Sequence, residues 1–236
     1  MQLDFSEKIN KLEKIFKIEI QNKELLKKAL IHSSYTKENE ISSLENYERL
    51  EFLGDAILKL CISAHLYNKF PDYDEGQLTK IRSIIVSDNV LAELATKIGL
   101  AELIIMGKRE EKSGGRDKKS ILACAFEAIL GAYYLDGKYH ELSAFLEKLF
   151  TPLIKDVDNH FEKFNAKAVL QEYTQSQNKK TPDYKIVEEI GPEHDKIFVV
   201  EVSFMDEVLS SGQGKTKREA EQDCAYKACQ KLGVIK

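Results

Sequence analysis

Three carboxylates at helical spacing are the first residues in this sequence whose types could do chemistry. The segment 47–58 contains Glu48, Glu51 and Asp55. At 100° per residue these side chains fall within one sector roughly 60° wide. Four apolar residues fall on the opposite side, namely Leu50, Leu53, Ile57 and, just beyond the segment, Leu60. Because like charges at this spacing repel one another, the acidic stripe is either a solvated helix face or a set of ligands for a cation.

A fourth carboxylate lies in an apolar part of the chain. Glu127 is the only charged residue in the segment 121–135. An ionised carboxylate in such surroundings costs on the order of several kcal/mol unless something pairs with it. A divalent cation such as Mg²⁺, which prefers oxygen ligands, could lie between Glu127 and the acidic stripe. The alternatives are that Glu127 pairs with Arg49 or Arg82, or that it is protonated.

The elements that must position these groups fall into two classes. Apolar residues recur at three- and four-residue spacing up to about residue 155, which predicts a series of helices. These helices are predicted over residues 23–35, 47–70, 74–98, 119–135 and 141–155. Pro71 ends one of them, and Ser113-Gly114-Gly115 marks a loop.

The C-terminal part has a different pattern. The polar stretch 156–165 is interpreted as a linker, and Asn165 is expected to cap a helix that runs to about Ser176. Period-two alternation predicts strands over 184–190, 197–204 and, more weakly, 207–212, and a final helix is predicted over 217–232. The order helix, three strands, helix predicts a small α+β domain with helices on one face of an antiparallel sheet.

Bulk composition limits the possible partners and compartment. The net charge of the 236 residues is -4 at pH 7, so any nucleic acid must be bound by local basic patches. The longest nearly apolar run, 121–135, is shorter than the about 20 residues of a membrane-spanning helix, so no membrane partner is expected. The four cysteines form no Cys-x-x-Cys pair and the N-terminus lacks a signal pattern. We therefore expect reduced thiols in a cytoplasmic protein.

The acidic stripe lies in a motif, ERLEFLGD (48–55), that resembles the signature of the ribonuclease III catalytic domain. Further segments resemble the same family in the same order, namely HSSY (32–35), DEGQLT (74–79) with Arg82, KSGG (112–115), and SILA (120–123) with FEA (126–128). The similarity to bacterial ribonuclease III runs over nearly the whole chain. It implies an all-α catalytic domain at 1–155, a linker at 156–165, and a small α+β (α-β-β-β-α) double-stranded-RNA-binding domain at 166–236.

The resemblance also implies roles for the carboxylates. Glu51 and Glu127 are implied to be metal ligands, and Asp55 to lie in the same cluster and help position the attacking water. Glu48 and Glu75 are implied to be supporting acidic residues near the scissile strand. The implied reaction is metal-dependent hydrolysis of double-stranded RNA to 5′-phosphate and 3′-hydroxyl ends, with Mg²⁺, or alternatively Mn²⁺, activating water and stabilising charge on the phosphate.

One residue departs from the family pattern. Cys124 stands three residues before Glu127, at a position where the family has an acidic residue. A neutral thiol is a poor ligand for Mg²⁺. The open interpretations are a lower Mg²⁺ affinity with retained activity, a water molecule in place of the missing ligand, or a preference for Mn²⁺. It is also open that Glu51, Asp55 and Glu127 suffice. A further alternative is a double-stranded-RNA-binding protein whose cleavage is impaired by Cys124.

Phe52 lies beside the acidic stripe and away from the predicted core side of its helix. A large aromatic residue there either packs internally or belongs to an interface. The resemblance implies that Phe52 docks into a pocket of a second subunit, which predicts a homodimer. Each subunit would then cut one strand and leave short 3′ overhangs.

The C-terminal domain has its own candidate contacts with RNA. TKRE (216–219) has the pattern of a capping box, and cations beside a helix N-terminus are either a phosphate site or ordinary surface residues. The resemblance implies that Gln171 and His194 contact minor grooves and that Lys215, Lys217 and Arg218 hold phosphates. The implied substrates are ribosomal RNA precursors and some messenger and transfer RNAs.

Two histidines receive no chemical role from the sequence. His32 and His65 lie near predicted helix ends. Because a histidine in such a place is more often packed or solvated than a ligand, both are interpreted as structural.

Overall fold

The computed structural model describes residues 5–159, 161–192 and 196–235, and the chain divides into two compact units, Met1–Lys155 and Asp156–Lys236. The N-terminal unit is helical. Its helices in chain order are α1 (Ser6–Phe16), α2 (Lys23–Ala29), α3 (Ser33–Glu38), α4 (Glu48–Lys69), α5 (Glu75–Ile85), α6 (Asp88–Lys97), α7 (Lys108–Lys112), α8 (Lys119–Leu135) and α9 (Tyr139–Asn159), the last of which ends just past the boundary.

Helix α8 is the centre of the N-terminal unit. Eleven of its seventeen residues are buried, which agrees with the rule that a helix apolar on all sides lies inside a core. Helices α2, α4 and α6 pack around it. The predicted core side of α4 is confirmed for Leu50 and Ile57, which are buried, but it is wrong for Leu60, which is 52% exposed. The buried face of α4 continues through Cys61 and Leu66, and Leu60 lies outside it.

Two glycines let the backbones of α4 and α8 touch. A Cβ atom on Gly54 would overlap the carbonyl oxygen of Glu127, and one on Gly131 would overlap the carbonyl oxygen of Leu50. The contact is thus reciprocal, with one glycine on each helix. Since only glycine lacks a Cβ atom, these two positions fix how closely the two helices can approach.

The structure divides two helices that the sequence pattern predicts as continuous. The predicted helix 23–35 is interrupted at Ile31, which forms a parallel bridge with Ile105, and His32 N–H donates to the Ile105 carbonyl over 2.8 Å. The predicted helix 74–98 is interrupted at Ser87, whose hydroxyl donates to the Ile84 carbonyl over 2.8 Å. In both places a hydrogen bond to another backbone group replaces the helical pattern.

The C-terminal unit consists of α10 (Phe161–Asn178), β1 (Asp183–Ile190), β2 (Ile197–Phe204), β3 (Glu207–Gly214) and α11 (Lys217–Lys231). The sheet is antiparallel with the order β1-β2-β3. Its core joins the two helices to the sheet through small and aliphatic side chains, among them Ala166, Leu170, Val202, Leu209 and Ala228. The predicted fold class is therefore confirmed for both parts of the chain.

The helical boundaries around residue 160 differ from the prediction. Helix α10 begins at Phe161, so the predicted cap at Asn165 is wrong, and residues 156–159 and 161–165 of the predicted linker are helical. The polar composition of this stretch therefore belongs to helices and not to an irregular linker. No helix in the described ranges is long and apolar enough to cross a membrane.

Candidate functional site

A cleft of about 620 Å³ opens where α4 and α8 cross. Carboxylates from both helices line it, together with residues that precede α3 and α4. The lining residues are His32, Ser33, Tyr47, Glu48, Glu51, Phe52, Asp55, Ser120, Ile121, Cys124 and Glu127. The structure therefore brings Glu127 to the acidic stripe of α4, and the Gly54 contact with the Glu127 backbone is the reason that α8 comes this close.

The cleft concentrates negative charge. Burial, together with the neighbouring carboxylates of Asp55 and Glu51, raises the pKa of Glu127 to about 8. Burial also raises the pKa of Glu51, with Glu48 and Asp55 acting in the same direction. Such shifts mean that burial and neighbouring negative charge disfavour the ionised forms of Glu51 and Glu127.

Few cations of the chain reach these carboxylates. The Lys59 ammonium lies 2.7 Å from Asp55 Oδ2. Arg82 Nη1 instead donates to Ser63 Oγ over 2.7 Å. Within the described ranges Glu127 forms no ion pair with Arg49 or Arg82, so the predicted alternative of an arginine partner is wrong there. A protonated Glu127 in the absence of a cation, and an ionised one in its presence, both agree with the site.

The donor set fits a hard divalent cation by its chemistry. Glu51, Asp55 and Glu127 offer carboxylate oxygens to one cleft, and oxygen is the ligand atom that Mg²⁺ and Mn²⁺ prefer. The part of the chain that the structure describes contains no three acidic, histidine or cysteine side chains already arranged around a common point for a metal ion. Binding therefore requires the carboxylates to turn toward the ion.

Cys124 contacts one of these carboxylates. The thiol is hydrogen-bonded to Glu51, and burial, followed by this hydrogen bond, raises the pKa of Cys124 to about 12. At neutral pH the group is therefore a neutral thiol that donates to the Glu51 carboxylate. The site contains one negative charge fewer than a carboxylate at this position would give.

The other predicted residues of the N-terminal unit lie in different places. Glu48 lines the cleft, and its backbone N–H donates to Asn46 Oδ1 over 2.9 Å. Phe52 lies at the rim and is 81% exposed. Glu75 begins α5, where it accepts a hydrogen bond from Thr79 Oγ1 over 2.9 Å, and it is not among the residues that line the cleft. Its role near the scissile strand stays a prediction.

Two residues of the cleft wall, His32 and Tyr47, were not predicted as part of the site. A backbone hydrogen bond brings them together. Tyr47 N–H donates over 2.9 Å to the carbonyl of Ile31, the residue before His32. For His32 the signal available in the sequence was the HSSY segment, which belongs to the family pattern but contains no carboxylate that would reveal a site.

The predicted RNA contacts of the C-terminal unit lie on its surface. Gln171 on α10 and Lys215, Lys217 and Arg218 at the start of α11 are exposed. Thr216 caps α11 by accepting from Glu219 N–H over 3.1 Å, while Glu219 Oε2 accepts from Lys215 N–H over 3.0 Å. The cap thus includes the backbone of Lys215, and the three basic residues lie together at this helix start. His194 lies outside the described residues.

Comparisons with known proteins agree with this architecture. The family model described as ribonuclease-III-like matches residues 22–153, and that of the double-stranded RNA binding motif matches residues 166–232. A ribonuclease 3 of Borreliella burgdorferi is 44% identical, with 92% of this chain and 89% of the relative covered. One from Caldanaerobacter subterraneus is 46% identical, with 95% and 98% covered.

A solved structure resembles the N-terminal part of the chain. It is the nuclease domain of ribonuclease III from Campylobacter jejuni, described for structural flexibility in a region involved in dimer formation. It is 37% identical with a TM-score of 0.56, covering 61% of this chain and 99% of that one.

The fold and the carboxylate cleft define a helical metal-dependent nuclease domain followed by a double-stranded-RNA-binding domain. The chain belongs to the ribonuclease III family, and the family resemblance of its motifs is confirmed.

Proposed function

We propose that this chain is an endoribonuclease that hydrolyses phosphodiester bonds in double-stranded RNA with Mg²⁺, leaving 5′-phosphate and 3′-hydroxyl ends. The observation that carries the proposal is the meeting of Glu127 on α8 with Glu51 and Asp55 on α4 in one open cleft. A bound divalent ion supplies charge stabilisation at the scissile phosphate and activates water. The raised pKa values of Glu51 and Glu127 support a site that gains stability from such an ion.

The chain's own residues have distinct parts in this proposal. Glu51 and Glu127 hold the ion, and Asp55 orients the attacking water by accepting a hydrogen bond from it. Lys59 pairs with Asp55 and orients this carboxylate. Glu48 lines the same cleft and supports the arrangement through its acidic charge, and we assign Glu75 a similar supporting role.

The C-terminal unit binds the substrate duplex in this proposal. Gln171 and His194 contact minor grooves, and Lys215, Lys217 and Arg218 hold phosphates of the groove between them. The exposure of the three basic residues at one helix start supports this assignment. Precursors of ribosomal RNA and some messenger and transfer RNAs are the proposed substrates. The free state of all four cysteines supports a reducing, cytoplasmic compartment.

The direct test is cleavage of a long RNA duplex. We expect cleavage with Mg²⁺ or Mn²⁺ and none after the ion is removed with a chelator, because the carboxylates cannot stabilise the phosphate charge by themselves. Gel analysis of the products, with single-stranded RNA and a DNA duplex of the same sequence as controls, measures this. Duplex cleavage that persists in chelator would rule out the metal site.

Replacement of Cys124 tests whether the absence of a carboxylate at this position lowers the affinity for Mg²⁺. Cys124→Asp is expected to lower the Mg²⁺ concentration for half-maximal cleavage by roughly tenfold or more, because one added carboxylate strengthens binding of a divalent ion by at least about 1.4 kcal/mol. Mg²⁺ titrations of cleavage and of thermal stability measure the change. Cys124→Ser is the matched neutral control and should titrate like the parent. Identical Mg²⁺ titration curves for Cys124→Asp and the parent would reject a role of Cys124 in metal affinity.

We also propose that the protein is a homodimer through α4. Phe52, Leu60 and Tyr67 are 81%, 52% and 73% exposed and lie within roughly 80° of one another around this helix. This apolar stripe runs beside the acidic stripe, so a second copy seated on it would bring two clefts to opposite strands of one duplex. The symmetric arrangement suits a substrate whose strands are themselves related by two-fold axes.

Truncation of Phe52 tests the dimer. Phe52→Ala is expected to weaken dimerisation at least about 100-fold, because each of the two symmetric sites loses roughly 1.5–3 kcal/mol of apolar burial. Analytical ultracentrifugation over a concentration series measures the dissociation constant. Met205→Ala, at an exposed apolar position of the other unit, serves as the control. An unchanged constant for Phe52→Ala would exclude this face.

A further inference from the structure

His32 occupies a fixed position on the wall of the cleft. Its backbone N–H donates to the Ile105 carbonyl over 2.8 Å, and the preceding Ile31 carbonyl accepts from Tyr47 N–H over 2.9 Å. The imidazole meets the Tyr47 ring edge-on, with 5.5 Å between the ring centres. Main-chain pairing on both sides and an aromatic neighbour therefore hold the ring beside Glu48 in the cleft.

Hydrogen bonds fix which ring nitrogen bears the proton. Ser34 Oγ lies 2.7 Å from His32 Nδ1 and accepts from Gly107 N–H over 2.9 Å. Since the Ser34 backbone N–H makes Nδ1 an acceptor, the hydroxyl proton of Ser34 is donated to Nδ1 as well. The backbone N–H of Ser34 also donates to Nδ1 over 3.2 Å. Because Nδ1 accepts from two donors, the neutral imidazole carries its proton on Nε2. Burial lowers the pKa of His32, which favours this neutral form.

The remaining ring atom is a donor in a cleft rich in acceptors. No hydrogen-bond partner of Nε2 occurs among residues 5–159, 161–192 and 196–235. The four carboxylates that line the cleft accept hydrogen bonds when ionised and cannot donate to an RNA backbone. A protonated Nε2 cannot bind a metal ion, so its available chemistry is donation to an oxygen of the substrate.

We infer that His32 binds substrate, with Nε2–H donating to a backbone oxygen of the RNA strand that lies in the cleft. This inference rests on the proposed function, and it replaces the structural interpretation that the sequence alone suggested for His32. The oxygen is a ribose 2′-hydroxyl or a non-bridging phosphate oxygen, since both accept from a neutral N–H. The competing role is that of a helix cap, since Nδ1 also accepts from the backbone at the start of α3.

Two substitutions separate the two roles of the ring. In His32→Asn the side-chain oxygen lies near the position of Nδ1 and keeps the cap, but nothing replaces Nε2–H. In His32→Gln the side-chain nitrogen reaches the position of Nε2 and the cap is lost. We expect His32→Asn to keep the parent's melting temperature and to lose about tenfold in single-turnover cleavage, the size of one such hydrogen bond. We expect His32→Gln to melt lower and to cut at nearly the parent's rate.

The outcomes separate this inference from the proposed function. If the parent cuts the duplex and His32→Asn cuts equally fast, the inference is wrong and the nuclease assignment stands. If both variants lose cleavage in step with their melting temperatures, His32 is only a cap. A parent that cuts no RNA duplex would instead refute the proposed function.

Modified substrates identify the oxygen. Duplexes with a single 2′-deoxy or methylphosphonate substitution near the scissile bond are cut by the parent and by His32→Asn. At the contacted nucleotide the modification should slow the parent and leave His32→Asn unaffected, and the kind of modification tells ribose from phosphate. If the modification slowed His32→Asn as much as it slowed the parent at every position tested, a direct contact would be contradicted.

Discussion

Replacing Glu127 with glutamine is expected to abolish cleavage of duplex RNA while leaving duplex binding unchanged. Glu127 is the only carboxylate that α8 contributes to the cleft, and the amide of glutamine has no negative charge with which to hold a divalent ion. Loss of several kcal/mol of transition-state stabilisation corresponds to a rate lower by roughly 10³-fold or more. Single-turnover cleavage measures the rate, and a gel-shift titration in chelator measures binding.

The stability of Glu127→Gln shows whether its loss of cleavage comes from the active site or from unfolding. A buried carboxylate whose pKa is raised stabilises the fold most when protonated, and this contribution is lost as pH rises from the ordinary value of 4.5 through about 8. In chelator, Glu127→Gln should therefore be at least as stable as the parent, by a margin that grows over this pH range. Glu93→Gln, on the exposed face of α6, is the control for an uncharged substitution. Parent-like cleavage by Glu127→Gln would refute the proposed metal ligand.

Replacing Gly54 with alanine is expected to be among the most destabilising single changes in the N-terminal unit. The new Cβ atom would overlap the carbonyl of Glu127, which is backbone and cannot turn away as a side chain could. Overpacking of a core costs about 1–3 kcal/mol and occasionally more, and contact between two backbones puts this case at the upper end. Differential scanning calorimetry of the full chain measures the free energy of unfolding.

Controls for this prediction come from two other glycines. Gly131→Ala meets the Leu50 carbonyl from the opposite helix and should have an effect of similar size. Gly76→Ala, near the start of α5, meets only the Asp74 side chain at 3.3 Å and should be neutral or stabilising by up to about 1 kcal/mol. A Gly54→Ala protein that melts with the parent would show that the two helices do not need this contact.

The periodicity of apolar residues predicted the elements whose buried residues alone determine their sequence pattern. The predicted helix over 119–135 and the strand over 197–204 have the bounds that the structure gives α8 and β2. It failed at Ile31, where the backbone pairs with Ile105, more than seventy residues away, because no local pattern records such a partner. It also failed at Asn165, because a helix face exposed to solvent has the composition of a linker.

Part of the candidate site could be predicted from the cost of charge burial. A lone Glu127 among apolar residues indicated that another group must meet it, and the cleft contains Glu51 and Asp55 beside it. His32 gave no such signal, since its place depends on pairing of its backbone with the distant Ile105, which only the folded chain assembles.

The reciprocal glycine contact couples catalytic geometry to the interior of the domain. The residue whose carbonyl touches Gly54 is the same Glu127 whose side chain reaches the cleft, so any widening of the crossing displaces this proposed metal ligand directly. Warming that loosens this pair of helices should diminish turnover before the domain melts. Engineering for heat resistance is therefore best directed to outward-facing positions, because the crossing itself leaves no space for larger side chains.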